Sequence, residues 1–331
     1  MRYRRLGDSD IRIPLLTFGC GNFGGIGSAP ELFGQGDDER SAHQMLDAAL
    51  AEGITMFDTA NSYGGGRSEQ WLGSWLRSRA VRDEVLITTK VGNRVGPGPL
   101  DAGLSAAHIR SQVEASLSRL GTDHIDLYLT HVSDPATPVE ETIRAFDELI
   151  DTGKILRYGM SNFSASDFDE AVSVADRLGA RRPVNLQAGY NLLERDAEPE
   201  LASSARHGAG FTAYSPLAGG LLTGKYRADR EVPAGSRLAL LPSYGKLVGS
   251  ELYGILGRLD VLAAQHGRTP TALALAWVLS EPAVSGALIA PRTQAQLEAM
   301  SAALDISLTP QERNSLAGIA PVGERCDKRG G

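Results

Sequence analysis

Cysteine is scarce in this chain: Cys20 and Cys326 are the only two in 331 residues. They sit near opposite ends, with no spacing that would build a disulfide framework or a thiolate metal site, so a reduced, cytoplasmic protein is expected. Long apolar runs are also missing. No stretch approaches the roughly 20 uninterrupted apolar residues that span a bilayer, and no membrane association is expected. The opening Met1-Arg2-Tyr3-Arg4-Arg5-Leu6 is positively charged, but no apolar segment follows it, so no signal peptide is expected. A basic excess is lacking too: 33 Lys and Arg stand against 40 Asp and Glu, a net charge of −7. Nothing supplies the basic stripe that nucleic acid requires. The six histidines show neither His-x-x-x-His nor His-x-His spacing, so no metal site is expected.

The 42% hydrophobic and 22% charged residues are those of an ordinary globular chain. Short β-rich runs alternate with amphipathic segments along its whole length. After an N-terminal hairpin (Tyr3–Leu6, a Gly7-Asp8-Ser9-Asp10 turn, Ile11–Pro14), the spacing predicts strands at Leu15–Phe18, Thr55–Asp58, Val85–Thr89, Ile125–Thr130, Leu156–Met160, Val184–Gln187, Gly210–Tyr214 and Ala287–Ile289. Helical patterns fall between them at Arg40–Ala51, Ser68–Arg79, Ala106–Leu120, Glu140–Thr152, Ala165–Leu178 and Leu201–His207. Leu252–His266 with Thr271–Leu279, and Gln294–Leu304, complete the set. Gly53, Gly121, Gly153, Gly179 and Gly267 stand where helices end in a left-handed residue. Short continuous apolar strands suit a parallel sheet covered by helices. Eight strand–helix units predict a (β/α)8 TIM barrel, residues 1–331 as a single domain, carrying long loops on its C-terminal rim. The longest connection, Ala218 to about Ser250, is rich in Gly and Pro and reads as a flap over a ligand.

In such a barrel, functional side chains gather where strands end. Asp58 ends the second strand, Lys90 the third and His131 the fourth, with Tyr63 just beyond Asp58. Singly, each has an ordinary reading: a helix cap, a solvated surface residue, a structural histidine. Their coincidence at one end of consecutive strands points to chemistry. A tyrosine, with a reference pKa of about 10, donates a proton more readily beside an ammonium. Asp58 would hold Lys90 charged, and His131 would bind the phenol or a substrate oxygen. Such a set protonates the alkoxide formed when hydride reaches a carbonyl carbon.

The segments Phe57-Asp58-Thr59-Ala60-Asn61-Ser62-Tyr63-Gly64, Thr89-Lys90 and Leu129-Thr130-His131 resemble the catalytic motifs of the aldo-keto reductase superfamily, and the similarity covers nearly the whole chain. Ser133–Thr142 is similar to the branch containing bacterial reductases and potassium-channel β subunits. The resemblance implies a catalytic tetrad of Asp58, Tyr63, Lys90 and His131, and NADPH as cofactor. It implies that Ser161, Asn162 and Gln187 bind the nicotinamide carboxamide and that Tyr214 stacks on the ring. Ser215, Pro216, Leu217, Gly219 and Lys225 resemble the pyrophosphate loop, and Gly21 and Asn22 the first strand–helix loop that touches the cofactor. Arg292 stands where relatives contact the 2′-phosphate, and its planar fork suits that group. Gln296 replaces an Arg of some NADPH-specific branches, and Ala299-Met300 replaces a common Glu-Asn.

Gly19-Cys20-Gly21-Asn22-Phe23-Gly24 also satisfies G-x-G-x-x-G. A dinucleotide-binding βαβ unit would need a helix opening there, whereas the chain runs on through Gly25, Gly27, Pro30, Gly34 and Gly36. The expected activity is reduction of an aldehyde or ketone, keto-sugars among them. The alternative is an NADPH-binding regulatory subunit with little turnover. Phe23, Tyr63, Arg94 and His131 are expected at the substrate pocket, Arg94 being equally readable as solvated. Substrate identity and oligomeric state are not legible.

Overall fold

A computed structural model describes residues 1–98, 100–240 and 249–320. The hairpin pairs β1 (Tyr3–Arg5) with β2 (Arg12–Pro14) in antiparallel register. The barrel strands follow: β3 (Leu16–Gly19), β4 (Met56–Asp58), β5 (Leu86–Val91), β6 (Ile125–Thr130), β7 (Ile155–Ser161), β8 (Asn185–Gly189), β9 (Gly210–Tyr214) and β10 (Val284–Ile289). They pair in parallel in chain order, and β10 closes on β3 to complete the ring. All eight predicted strands are found, with ends shifted by up to three residues.

Side-chain alternation sorts each strand between interior and helical shell. On β5, Ile87 and Val91 join the core beneath the helices, while Thr88 and Lys90 take the other parity. On β6, Tyr128 packs against Phe146 of the helix Val139–Asp151, with ring centroids 5.5 Å apart. Leu127 and Leu129 instead share a small cluster with Met56 and with Leu6 and Ile13, which flank the hairpin turn. The hairpin therefore stoppers the N-terminal end of the barrel, and the inward parity of the strands surfaces at the C-terminal mouth.

Helix ends follow the sequence signals. The helix Glu39–Ala51 is capped by Asp38, Ala106–Leu120 by Ser105 and Ala165–Leu178 by Ser164, each side chain accepting a backbone N–H from the first turn. The five glycines expected beyond helix ends all take positive φ, from 62° to 80°. The helix expected over Gln294–Leu304 is α-helical to Ser301 and continues as a 3-10 turn, Ala302–Asp305. The helix Pro310–Ala317 was not expected. Its signal was present, because Thr309 and Glu312 form a reciprocal capping box with Pro310 in the first turn.

The interior is tight at Gly159 on β7. A Cβ there would lie 2.5 Å from the Asn185 carbonyl oxygen and 2.8 Å from Leu129 Cδ2. Gly159→Ala is expected to cost about 1–3 kcal/mol, as overpacked cores do. Chemical denaturation checks this, and unchanged stability would mean that β7 and β8 can part at no cost.

Part of the Ala218–Ser250 connection, 241–248, and the C-terminal tail from 321 lie outside the described residues. The rest of the connection begins with a 3-10 segment, Ala218–Thr223. From it, Arg237 Nη2 donates to Asn22 Oδ1 at 2.9 Å, tying the connection to the first strand–helix loop.

Candidate active site

β4, β5 and the start of the loop after β6 bring Asp58, Lys90 and His131 to the C-terminal mouth, and the 3-10 turn Tyr63–Gly66 brings Tyr63 against them. Lys90 and Asp58 are 1% and 2% exposed and form a buried ion pair, Nζ donating to Oδ1. Lys90 Nζ also donates to the Thr59 carbonyl at 2.9 Å, and Gln187 Nε2 donates to Asp58 Oδ2 at 3.0 Å. Each member of the pair thus has one further hydrogen bond, as a buried charge pair requires. Lys90 Nζ lies 5.1 Å from the Tyr63 ring centroid, and the Tyr63 and His131 rings meet edge to face at 5.4 Å. The turn carrying Tyr63 needs its glycine: Gly64 has φ 57°, and a Cβ there would come within 2.4 Å of the Phe23 carbonyl oxygen.

Burial alone would push the Lys90 ammonium down, but Asp58 and Tyr63 outweigh it and hold it above its ordinary value. For Tyr63 the balance falls the other way: burial raises the phenol more than Lys90 lowers it. The expectation of a phenol brought down by the ammonium is therefore corrected. Burial, with the charge of Lys90, lowers His131 to about 3. At neutral pH the site holds an ammonium, a neutral phenol and a neutral imidazole.

A second charge pair, half-buried and unseen in the sequence, stands behind Lys90. Glu69 is fully buried; it accepts from Thr89 Oγ1 at 2.5 Å and from Arg119 Nε at 2.7 Å. It pins the outward face of β5 beside the lysine. Its partners lie 20 and 50 residues away, a separation no local pattern encodes.

Along the same mouth, Ser161 ends β7, Gln187 lies on β8 and Tyr214 ends β9. Gln187 Nε2 is committed to Asp58. Asn162 bridges the site: Nδ2 donates to the His131 carbonyl at 2.8 Å, and Oδ1 accepts from Tyr214 Oη at 2.8 Å. Three non-glycine residues here adopt the left-handed region, Asn162 at φ 59°, Ser215 at 51° and Ala218 at 49°. Such conformations cost about 1–3 kcal/mol each and concentrate at functional sites. Gly219 and Gly220 follow at 64° and 96°. A Cβ on Gly220 would lie 2.9 Å from Lys225 Nζ, so glycine leaves room for that ammonium beside the turn. Successive left-handed residues with a lysine at hand form a concavity suited to an anion.

At the far end, Arg292 is 44% exposed and its Nε donates to Asp37 Oδ1 at 2.7 Å. Burial raises the Asp37 carboxyl against the pull of Arg292. Gln296 Oε1 accepts from the Arg292 backbone N–H at 2.8 Å, and Met300 turns into the core at 9% exposed. The aromatic ring, the anion-suited turn and the arginine fit the successive parts of a dinucleotide.

Two expected pocket residues are not brought to the site. Phe23 is 1% exposed and packs on Phe18, with centroids 5.9 Å apart, because the first loop folds this ring inward. Arg94 is exposed and donates to its own loop, to the Gly96 and Gly98 carbonyls at 3.2 and 2.7 Å.

A closed parallel barrel with a buried lysine–aspartate pair, a tyrosine and a neutral histidine at its mouth defines a (β/α)8-barrel enzyme. The chain belongs to the aldo/keto reductase family, whose sequence model matches residues 16–321, and it is an oxidoreductase. The family generally uses NAD(P)H. The chain is similar to a probable voltage-gated potassium channel subunit beta of Arabidopsis thaliana, 36% identical over 319 residues, covering 94% of each chain. It is similar to an uncharacterized oxidoreductase of Bacillus subtilis (strain 168), 37% identical over 331 residues, covering 97% of this chain and 96% of the other. To the L-glyceraldehyde 3-phosphate reductase of Escherichia coli (strain K12) it is 33% identical over 313 residues, covering 90% and 86%. The bacterial and channel-β branch read from Ser133–Thr142 is the one these relatives occupy. Among the described residues no helix is long and apolar enough to cross a membrane.

Proposed function

We propose that the protein is an NADPH-dependent reductase of small aldehydes or ketones, working as a single-domain cytoplasmic enzyme with Tyr63 as proton donor. One observation carries this reading: the phenol sits beside a fully buried, charged Lys90 that Asp58 holds in place. NADPH, when bound, would supply a hydride for the carbonyl carbon. Tyr63 gives its phenolic proton to the oxygen that becomes the alcohol, and Lys90 stabilises the phenolate left behind. Asp58 keeps Lys90 charged and oriented. Neutral His131 donates a hydrogen bond to the carbonyl oxygen without adding charge of its own.

Ser161, Asn162 and Gln187 are the residues to hold the carboxamide, and Tyr214 the ring. Ser215, Pro216, Leu217, Gly219 and Lys225, with Gly21 and Asn22 opposite, are the residues for the pyrophosphate. Arg292 is the residue for the 2′-phosphate, with Gln296 shaping its backbone. The test is a panel of aldehydes, ketones and keto-sugars with NADPH, read by loss of nicotinamide absorbance. NADPH binding without turnover of any of them would leave a binding role instead.

Cofactor choice gives a sharper check. Asp37 occupies one side of the Arg292 guanidinium, leaving its two terminal nitrogens for a phosphate. A charge-assisted contact of this kind is worth about 1.5–3 kcal/mol, on the order of 10–100-fold in affinity. Arg292→Ala is expected to weaken NADPH by that factor, leave NADH nearly unchanged and flatten the salt dependence of NADPH binding. Equal losses for both cofactors, measured by fluorescence titration, would reduce Arg292 to a loop support.

A further inference from the structure

Asn93 takes no part in the roles assigned above, yet its side chain meets His131. Asn93 Nδ2 lies 3.2 Å from His131 Nδ1, and the same nitrogen donates to Ser28 Oγ at 3.4 Å. Ser28 Oγ is hydrogen-bonded in turn to Ser62 Oγ at 2.8 Å, next to Tyr63 in the chain. The histidine backbone is fixed on both sides: its N–H donates to the Val91 carbonyl at 2.7 Å, and its carbonyl accepts from Asn162. What remains to be set is the ring, and in particular which of its two nitrogens carries the proton.

An amide nitrogen donates and cannot accept. Facing Asn93 Nδ2, His131 Nδ1 must offer its lone pair, and a neutral ring then keeps its hydrogen on Nε2. The ring is neutral because burial and the Lys90 charge oppose a second proton. The charged or titratable groups closest to it are Lys90 and Tyr63, and neither prescribes a nitrogen. Lys90 is turned to Asp58 and Thr59, and Tyr63 meets the ring through an aromatic edge.

We propose that Asn93 is a positioning residue that sets the tautomer of His131, holding the proton on Nε2 so that the imidazole is a hydrogen-bond donor to the substrate oxygen. Ser28 and Ser62 orient the amide, so the first strand–helix loop, the Tyr63 turn and the loop after β5 act together on one ring. This rests on the reductase reading for the use of the donor, but the tautomer can be read without any substrate.

The test is two-bond ¹H–¹⁵N correlation of histidine rings in uniformly labelled protein, with His131 assigned by its loss in His131→Gln. The parent is expected to show a protonated Nε2 and a bare Nδ1, unchanged across neutral pH. Asn93→Asp replaces the donor by a carboxylate and is expected to move a proton onto Nδ1, as the opposite tautomer or as an imidazolium. Asn93→Ala, the gentler variant, is expected to give a mixture of tautomers. In steady-state assays Asn93→Ala should lower kcat about 3–10-fold, the size of one hydrogen bond, with the NADPH dissociation constant unchanged. Asn93→Asp should lower it further and give kcat a pH dependence near neutrality that the parent lacks. A parent spectrum with Nδ1 protonated would mean that the amide presents its oxygen and would overturn the proposal. So would an unaltered Nε2–H pattern in Asn93→Asp. The spectra decide the tautomer and turnover by the parent decides the reductase reading, so the two can fail separately.

Discussion

Tyr63→Phe is expected to fold, to bind NADPH as the parent does, and to reduce carbonyls about 10²–10⁴-fold more slowly, the range for loss of a general acid. The substitution removes one oxygen. The ring stays to meet His131 edge to face, and the glycine turn beneath it is untouched. A loss confined to kcat is what removal of a transition-state contact produces. The pH dependence of the parent carries the same signature. Because burial raises the phenol, it stays protonated through neutral pH, so reduction should be flat there and fall only above the ordinary tyrosine range. Oxidation of the alcohol in reverse needs the phenolate and should climb with pH over the same span. Near-parental turnover in Tyr63→Phe would take the proton-donor role away from Tyr63.

Lys90→Met should be comparably slow, about 10²–10⁴-fold, for a different reason. The phenol remains, but its conjugate base loses the one adjacent positive charge, and proton donation becomes uphill. Residual reduction should then grow toward low pH, where solvent acid replaces the phenol. This variant also carries a structural cost. Asp58, 2% exposed, would keep its bond from Gln187 but lose its counter-charge, and breaking a buried pair this way costs about 3–5 kcal/mol. Thermal unfolding recorded beside the kinetics separates the two effects. Parental rates would mean that the ammonium does not act on the phenol.

The barrel was legible because its signals are local and repeated: apolar runs of strand length, capped helices and glycines past helix ends. The placement of Asp58, Lys90 and His131 followed, since the ends of parallel strands converge whatever lies between them. What was not legible depends on packing. The acidity of Tyr63 reverses sign between a solvated and a buried phenol, and burial is not written beside the residue. Asp37 meets Arg292 across 255 residues, and Glu69 meets Arg119 across 50. Phe23 was placed at the pocket by resemblance to the first strand–helix loop of relatives, and only the fold of that loop shows it turned inward. Asn93 sits among Gly92, Arg94 and Val95, none of which hints that its amide faces an imidazole 38 residues on.

The seam of the barrel joins Leu16, Thr17 and Phe18 to Ala287, Leu288 and Ile289. A ribosome working from the N-terminus delivers those partners some 270 residues apart, so the first barrel strand waits through most of synthesis with one side unpaired. Until the last strand arrives, β3 and β9 are both open edges, the feature that recruits foreign strands and promotes aggregation. The hairpin stopper and the pairing in chain order let the growing sheet curl and shelter its interior, but they cannot close it. The residues at the mouth are therefore assembled piecemeal and acquire their shared surroundings in a single late event, when the ring shuts.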